Sequence, residues 1–314
     1  MNGQPVESLG RVPPAPAVRQ PKGTGEAGTA WAMLLPALLL ITGAVGYPLL
    51  RTLVQSFTDA RLLSQTAPRF VGLHNYLRAL GNPGFQSALW HTTLFVLASV
   101  ALEVLLGVLA ALLLNVRFPG RALARALLIV PLALPTIVNA IMWRWIFNPE
   151  YGALNALLTQ TGLITDYRSW LGDPGVAMNM IVLADVWKNF PIVAIVTLAA
   201  LHLVPGELYE AASLDGAGPW TTFWRITWPG ISAVLSVVVV LRTIEAVKVF
   251  DLVYVMTRGG PADSTKTLSF EVFEEGFGFL RSGSAAAYAE LVVLVSGVLI
   301  VAYIGLLRRQ GRAT

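Results

Sequence analysis

The sequence predicts an all-α, polytopic membrane protein with about six transmembrane helices. Two observations lead to this fold class. Apolar residues make up 55% of the 314 residues and charged residues only 13%, a balance that soluble domains rarely have. In addition, six apolar runs each reach the roughly 20 residues that a helix needs to cross a bilayer.

The six predicted spans follow a polar leader. Residues 1–28 are rich in Pro, Gly and Ala and show no apolar period, so we expect a disordered cytoplasmic tail there. This leader is unusually long for a signal peptide. The transmembrane domain is expected over residues 29–310. Its predicted spans are residues 31–50, 88–115, 126–145, 176–204, 231–256 and 287–307.

The distribution of basic residues predicts which side of the membrane each connection faces. Basic residues outnumber acidic residues on the side that holds both termini, and the two balance on the other side. The short connection between the second and third spans is clearest, because it holds Arg117, Arg121 and Arg125 and no acidic residue. We therefore expect both termini in the cytoplasm, together with the connection between the fourth and fifth spans.

That connection contains a polar and aromatic stretch, residues 207–231, between two apolar runs. Residues 210–215 favour helix, and the Gly-Ala-Gly-Pro sequence at 216–219 breaks it. A second short helix is predicted over residues 220–227, with Pro219 near its first position. This shape suits docking into a groove on a partner. The alternative is a solvated loop that only joins two spans.

The same stretch resembles the loop motif of ABC importer permeases, in which EAA is followed after three residues by Gly and then by Ile and Leu-Pro. Trp228 stands where that family usually has Leu. The flanking sequence is similar to the carbohydrate branch, the maltose-type permeases, and the similarity extends over residues 31–307. The positions that match the motif are Glu210, Ala211, Ala212, Gly216, Ile226 and Pro229.

The resemblance implies a type I ABC importer permease fold in a bacterial or archaeal cell (inner) membrane. It also implies that residues 205–230 are a coupling loop that docks on an ATPase. The implied partners are a second homologous permease, a cytoplasmic ATPase dimer, an extracytoplasmic solute-binding protein, a carbohydrate substrate and membrane lipid. The residues implied to couple transport to the ATPase are Glu210, Ala211, Ala212, Asp215, Gly216, Ile226 and Pro229.

Charged residues also occur inside the predicted spans, where each costs about 2.5–3.5 kcal/mol on insertion scales. They must therefore face protein or a water-filled cavity. One interpretation is ion pairing that fixes helix positions. The other is a translocation path for sugars, because aromatic faces pack on sugar C–H faces and polar groups bond hydroxyls. The candidate path residues are Asn139, Trp143, Trp187, Asn189, Glu245 and Lys248.

Several kinds of site are not expected. The chain has no cysteine, its three histidines are scattered without metal-ligand spacing, and no catalytic constellation or metal site is predicted. The net charge of +4 comes without a basic cluster interleaved with aromatics, so no nucleic acid partner is expected. There is no GxxxxGK[ST] loop, so we expect no cofactor in this chain. If ATP drives transport, as the resemblance implies, ATP with Mg²⁺ binds a separate ATPase subunit.

The sequence therefore predicts a transport subunit, not an enzyme: the permease of an ATP-driven ABC importer for a disaccharide or oligosaccharide. Three alternatives stay open at this point. The chain belongs to a glycerol-phosphate ABC importer, it is a secondary transporter driven by an ion gradient, or it is a membrane enzyme or scaffold without an ATPase partner.

Overall fold

The structure of the protein is a computed structural model that describes residues 26–310, with side chains described over residues 28–302. The predicted tail, residues 1–28, lies outside the described residues up to position 25, and the first helix begins at Glu26. Over the described residues the backbone is mostly helical, with one isolated antiparallel bridge between Thr58 and Phe70 and no strand. The all-α prediction is confirmed.

Fourteen α-helices are described, and they are numbered in chain order. A π-helical turn, Thr42–Gly46, separates the first two, and the chain divides into two compact units between Arg51 and Thr52. The helices are α1 (Glu26–Ile41), α2 (Tyr47–Ser56), α3 (His74–Gly81), α4 (Pro83–Asn115), α5 (Arg121–Ala133), α6 (Thr136–Ile146), α7 (Ala153–Gln160), α8 (Ala177–Leu201), α9 (Gly206–Leu214), α10 (Pro219–Thr222), α11 (Trp228–Val247), α12 (Asp251–Met256), α13 (Leu268–Phe273) and α14 (Ser282–Gln310).

Membrane-spanning helices account for most of the described chain. Five stretches are long and apolar enough to cross a bilayer, and the bent pair α5 and α6 makes a sixth if it is taken as one span. This agrees with the prediction of about six spans. The five stretches are Gly28–Ser56, Pro83–Asn115, Ala177–Leu201, Pro219–Val247 and Ser282–Ala302.

The third span is not the single straight helix that residues 126–145 predict. Helices α5 and α6 meet at an angle of 101°. Leu134 and Pro135, which lie between them, have extended backbones with ψ of 131° and 143°. Proline forces the residue before it out of the helical region and has no N–H for an intrahelical bond, which explains the break.

The fifth span differs from the predicted residues 231–256 at both ends. It begins earlier, because α10, the π-helical turn Phe223–Thr227 and α11 form one helix from Pro219 to Val247. The prediction of a separate short helix over residues 220–227 is therefore wrong. The span also ends earlier, at Val247, and α12 begins anew at Asp251. The carbonyl of Val249 in this break accepts a hydrogen bond of 3.0 Å from Thr267 Oγ1, a partner distant in sequence.

Helices α4, α8 and α11 pack against each other and form the centre of the second unit. The α4–α8 approach is close at Gly107, where an added Cβ would lie 2.6 Å from Val193 Cβ. Phe95, Ile181 and Leu252 are among the fully buried side chains of the hydrophobic core. This packing brings the charged residues of three spans to one place.

Candidate functional site

An ion cluster lies buried among α4, α8 and α11. The guanidinium of Arg242 donates two parallel hydrogen bonds to Glu103, from Nε to Oε2 at 2.8 Å and from Nη2 to Oε1 at 2.9 Å. Both residues are buried, and Glu103 is fully so. Such bidentate, charge-assisted pairs have well-defined geometry and are stronger than single neutral hydrogen bonds.

Two further carboxylates complete the cluster around the same guanidinium. Asp185 Oδ2 on α8 lies 3.4 Å from Arg242 Nη2, and Glu245 on α11 pairs with Nη1. Asp185 Oδ1 accepts a hydrogen bond of 2.8 Å from Asn189 Nδ2, one turn along α8. One arginine therefore links three membrane helices through carboxylates that lie far apart in the sequence.

A polar cavity of about 330 Å³ opens beside this cluster. Its lining includes three acidic and three basic side chains, so the formal charges of these six groups cancel. Lys188 donates a hydrogen bond of 2.7 Å from Nζ to the carbonyl of Leu134, at the break between α5 and α6. The charged lining residues are Asp185, Lys188, Arg242, Glu245, Lys248 and Asp251, and the uncharged ones include Thr136, Asn189 and Phe250.

The six residues predicted for a substrate path separate into two groups. Asn189, Glu245 and Lys248 line the cavity. Glu245 has 63% of its side chain exposed, and Lys248 is also exposed, beyond the end of α11. These three side chains are therefore accessible to a solute in the cavity.

The other three predicted residues pack together between α6 and α8. The rings of Trp143 and Trp187 meet edge to face with their centroids 5.9 Å apart. Asn139 is fully buried and donates a hydrogen bond of 3.2 Å from Nδ2 to the carbonyl of Ala184. Asn139 Oδ1 and Trp143 Nε1 are buried and have no hydrogen-bond partner among the described residues. None of these three residues lines the cavity.

Glu103, Asp185 and Arg242 are not among the residues predicted for the substrate path, although each is a charged residue inside a span. The cost of such a charge indicates a protein or cavity environment but does not identify a partner. Glu103 and Arg242 are 139 positions apart, so no local spacing could pair them. The charged residues within the predicted fifth span do not share one helix, because Lys248 follows the end of α11 and Asp251 begins α12.

The segment from α9 to the start of α11 forms the helix and sharp bend that the sequence predicts. The bend is at Gly216, whose φ of +70° lies in the left-handed region that glycine adopts without strain. The N–H of Ala217 closes the end of α9 with a hydrogen bond of 2.9 Å to the carbonyl of Ala212. Pro219 then occupies the first turn of α10, where its missing N–H costs nothing.

The predicted coupling residues are mostly accessible on this segment. Glu210, Ala211, Asp215, Gly216 and Pro229 are exposed, whereas Ala212 and Ile226 are half-buried. Large apolar side chains beside them are also exposed, Leu214 to 88% and Trp220 to 75%.

One contact connects α9 to the base of the fifth span, and a second connects the residues just before α9 to it. Tyr209 Oη lies 3.2 Å from Thr227 Oγ1, at the end of the π-helical turn. Gly230, in the first turn of α11, lies so close to Val204 that an added Cβ would be 2.6 Å from its Cγ2. Tyr209 of α9 and Val204 just before it therefore contact the helix that carries Arg242 and Glu245.

Within the described residues, no group of three or more His, Cys, Asp or Glu side chains is arranged to hold a metal ion. Of the charged groups that line the cavity, Asp185 and Glu245 pair with Arg242, and Lys188 bonds the carbonyl of Leu134.

Comparison with known proteins identifies related chains over most of the sequence. Residues 103–311 match the family model described as binding-protein-dependent transport system inner membrane component. The trehalose/maltose transport system permease protein MalF of Thermococcus litoralis is 37% identical over 287 residues, covering 91% of this chain and 96% of that protein. The sulfoquinovosyl glycerol transport system permease protein SmoG of Agrobacterium fabrum is 33% identical over 286 residues, covering 91% of this chain and 92% of that protein.

A solved structure shares the fold. It is a bacterial alginate ABC transporter in complex with an alginate pentasaccharide-bound periplasmic protein, and one of its chains superposes with a TM-score of 0.79. The match covers 90% of this chain and 95% of the other at 21% sequence identity. The predicted ABC importer permease fold is therefore confirmed.

Proposed function

The chain belongs to the family of binding-protein-dependent transport system inner membrane components, and from this premise we propose that it is the permease subunit of an ATP-driven ABC importer. Its cargo is a carbohydrate, a disaccharide or oligosaccharide, which it moves into the cytoplasm. The names of the relatives, which include a trehalose/maltose permease and a permease for a sugar glycoside, support this class of cargo.

The polar cavity beside the ion cluster is the observation that carries the proposal. A neutral sugar presents many hydroxyl groups and no charge. Its site therefore needs hydrogen-bond donors and acceptors. A large net charge would be unfavourable there, because it would attract ions in preference to sugars. Asn189, Glu245 and Lys248 supply both kinds of group around a cavity whose charged groups cancel. The ring of Phe250 adds an apolar surface on which a pyranose can pack.

The energy for transport comes from a separate ATPase that binds the segment from α9 to α10. Glu210 and Asp215 are exposed and make no ion pair within the described part of the chain, so they are free to pair with basic groups of a partner. Exposed Leu214 and Trp220 supply apolar area beside them. A groove that buries these side chains would hold α9 firmly enough to move it.

Movement at α9 reaches the cavity through one continuous helix. The stretch from Pro219 to Val247 has 29 residues, which corresponds to a rod of about 43 Å. Near its lower end, Thr227 contacts Tyr209 of α9 and Gly230 contacts Val204 just before α9. Its upper end carries Glu245 beside the cavity. Closure of the ATPase dimer therefore tilts a wall of the cavity and exposes it to opposite sides of the membrane in turn.

The proposed orientation follows from the same assignment. The ATPase is cytoplasmic, so α9 faces the cytoplasm, and both termini lie on that side of a bacterial or archaeal inner membrane. The opposite face receives sugar from an extracytoplasmic binding protein. A second, homologous permease supplies the rest of the path, because the cavity is open on one side in the single chain.

Reconstitution tests the proposal. Proteoliposomes are prepared with this chain, its second permease and its ATPase, and the binding protein is added outside. We expect uptake of radiolabelled maltose or trehalose that requires both ATP and the binding protein. Uptake by this chain alone under an ion gradient would identify a secondary transporter instead. Uptake of glycerol phosphate but of no neutral sugar would overturn the assigned cargo while keeping the ABC mechanism.

A further inference from the structure

A second polar pocket, of about 190 Å³, lies where three membrane helices end on the face opposite α9. Helix α2 ends at Ser56, α4 begins at Pro83 and α14 begins at Ser282. The pocket is lined by residues from 59–61, 71–78 and 281–284, which adjoin those helix ends. It therefore lies at the depth where lipid headgroups meet the hydrocarbon region of the bilayer.

The charges around this pocket leave a surplus of positive charge. The carboxylate of buried Glu275 is shared between Arg78, whose Nη2 lies 3.9 Å away, and Arg281, whose Nη1 lies 3.5 Å away. Arg61 lines the same pocket and makes no ion pair among the described residues, and Asp59 is the other acidic group. Three guanidinium groups against two carboxylates leave one unbalanced positive charge.

A hydroxyl without a partner lies in the same pocket. Ser284 is only 4% exposed, lines the pocket, and its Oγ has no hydrogen-bond partner among the described residues. It belongs to the first turn of α14, a helix of 29 residues, whose N-terminus carries a partial positive charge. A buried donor, a helix N-terminus and surplus guanidinium together favour an anionic oxygen acceptor such as a phosphate.

Beside the pocket, α3 presents an apolar face that the chain leaves uncovered. Leu73 and, within α3, Leu77 and Leu80 lie at helical spacing, with exposures of 61%, 69% and 54%. The other face of α3 is held by Asn75, whose Nδ2 donates hydrogen bonds of 2.8 Å to the carbonyls of Ser56 and Thr58. An apolar face flanked by basic side chains is the pattern of a helix that lies in a membrane interface.

We propose that this pocket binds the phosphate of an anionic phospholipid, while the leucine face of α3 lies against the acyl chains. The unbalanced positive charge selects a headgroup with net negative charge over a zwitterionic one, whose ammonium would face the same arginines. The phosphate of the bound lipid neutralises the unbalanced positive charge of the pocket. This site is distinct from the sugar cavity, and it stands independently of the proposed cargo.

Native mass spectrometry of the purified full-length chain with its partner subunits tests the site. The probes are phosphatidylglycerol and phosphatidylcholine with identical acyl chains, added at equal concentration. We expect a preference for phosphatidylglycerol that falls about fivefold in Arg61→Gln, the size expected for one basic side chain at a membrane surface. Arg61→Gln leaves the Glu275 ion pairs intact, so a change in its lipid binding does not report misfolding.

Two further variants sharpen the result. Arg168→Gln removes an exposed arginine from a different connection, and it is expected to leave the preference unchanged. Leu73→Gln with Leu77→Gln is expected to weaken phosphatidylglycerol binding, because the acyl chains lose their apolar contact.

Three outcomes would overturn the lipid assignment. If Arg61→Gln and Arg168→Gln reduce the preference for phosphatidylglycerol equally, the preference reflects only the general charge of the protein. Inorganic phosphate that displaces the lipid fully at millimolar concentration, with no effect of the leucine variants, would indicate a site for a free anion. If Arg61→Gln leaves the lipid preference unchanged but weakens capture of the binding protein, the pocket is part of a protein-docking surface.

Discussion

The buried ion cluster and the segment from α9 to α10, called the coupling segment because we propose that it binds the ATPase, both carry charged side chains. They differ in how many of these charges are paired within the chain. In the cluster, Arg242 is bonded to Glu103, Asp185 and Glu245 from three helices. On the coupling segment, Glu210 and Asp215 make no ion pair within the described residues and are exposed. The charges of the cluster are paired within this chain, whereas those of the segment are left for the ATPase that we propose as its partner. Substitutions should therefore affect folding in the first region and transport in the second.

The largest effect is expected for Arg242→Gln. Removal of one partner of a buried pair typically costs about 3–5 kcal/mol, because the remaining charge has no compensation. Here Glu103 is fully buried and would be left without its partner. We expect a strong loss of monodisperse protein, measured by fluorescence-detected size-exclusion chromatography of membrane extracts.

Two controls show whether the buried charge is the cause. Glu245→Gln removes a carboxylate from the same arginine, but its side chain is 63% exposed, so little protein should be lost. The double variant Glu103→Gln with Arg242→Gln should recover part of the yield, because no buried charge of that pair remains unpaired. If Glu245→Gln is as damaging as Arg242→Gln, burial does not determine the cost.

The next largest effect is expected for Gly216→Val, and it concerns transport. The left-handed backbone at Gly216 costs an ordinary L-residue about 1–2 kcal/mol, and a β-branched side chain more. No atom lies within 4 Å of an added Cβ, so backbone strain is the only effect of the substitution on this chain. We expect normal amounts of protein and a fall of roughly tenfold in ATP-driven uptake by proteoliposomes.

Gly216→Asn is the matched control, because asparagine tolerates the left-handed conformation. It should retain most of the uptake. Equal uptake by the valine and asparagine variants would show that the geometry of the bend does not matter for coupling.

A smaller effect is expected for Lys248→Gln, at the cavity. Lys248 is exposed there and makes no ion pair within the described residues, so its ammonium is available to sugar hydroxyls. Loss of one such hydrogen bond is worth about 1 kcal/mol, or roughly fivefold in the sugar concentration for half-maximal uptake. Initial uptake rates over a range of sugar concentrations measure this. Arg168→Gln, outside the cavity, should leave the sugar concentration for half-maximal uptake unchanged. A similar change in both variants would exclude a specific contact between Lys248 and the sugar.

The smallest effect is expected for Glu271→Gln, which lies outside the membrane spans. Burial raises the pKa of Glu271, Lys266 opposes this, and the neighbouring Glu274 and Glu275 add to the rise. Because the folded-state pKa is raised, the wild-type protein is destabilised as pH rises through that value, when the buried carboxyl must ionise. The glutamine side chain of the variant has no proton to lose, so this destabilisation is absent from the variant.

The apparent melting temperature therefore distinguishes the two proteins by pH. Near pH 4 the variant and the wild-type protein should melt together, and at pH 8 the variant should melt a few degrees higher. A variant that melts lower than the wild-type protein at pH 8 would show that the Glu271 carboxylate is stabilising in the folded state.

Much of the fold could be predicted because its signals are local. The number of spans follows from the length of apolar runs, and the end of α9 follows from the Gly216 to Pro219 sequence. The break before α6 also has a local cause in Pro135, although the apolar run that continues across it conceals the bend. The break after Val247 has no glycine or proline to mark it, and the carbonyl of Val249 within it is bonded to Thr267, a residue distant in sequence.

The sequence by itself determined that the chain crosses a membrane several times and exposes a bent polar segment, because hydropathy, glycine and proline act over a few residues. Only the tertiary structure decided which charges meet. Arg242 and Glu103 are brought together by the rotation and packing of α4 against α8 and α11, at contacts such as Gly107 with Val193. A hydropathy pattern carries no information about that rotation, since lipid and protein interior are both apolar. The ion cluster and the cavity beside it therefore depend on helix packing that the sequence pattern does not reveal.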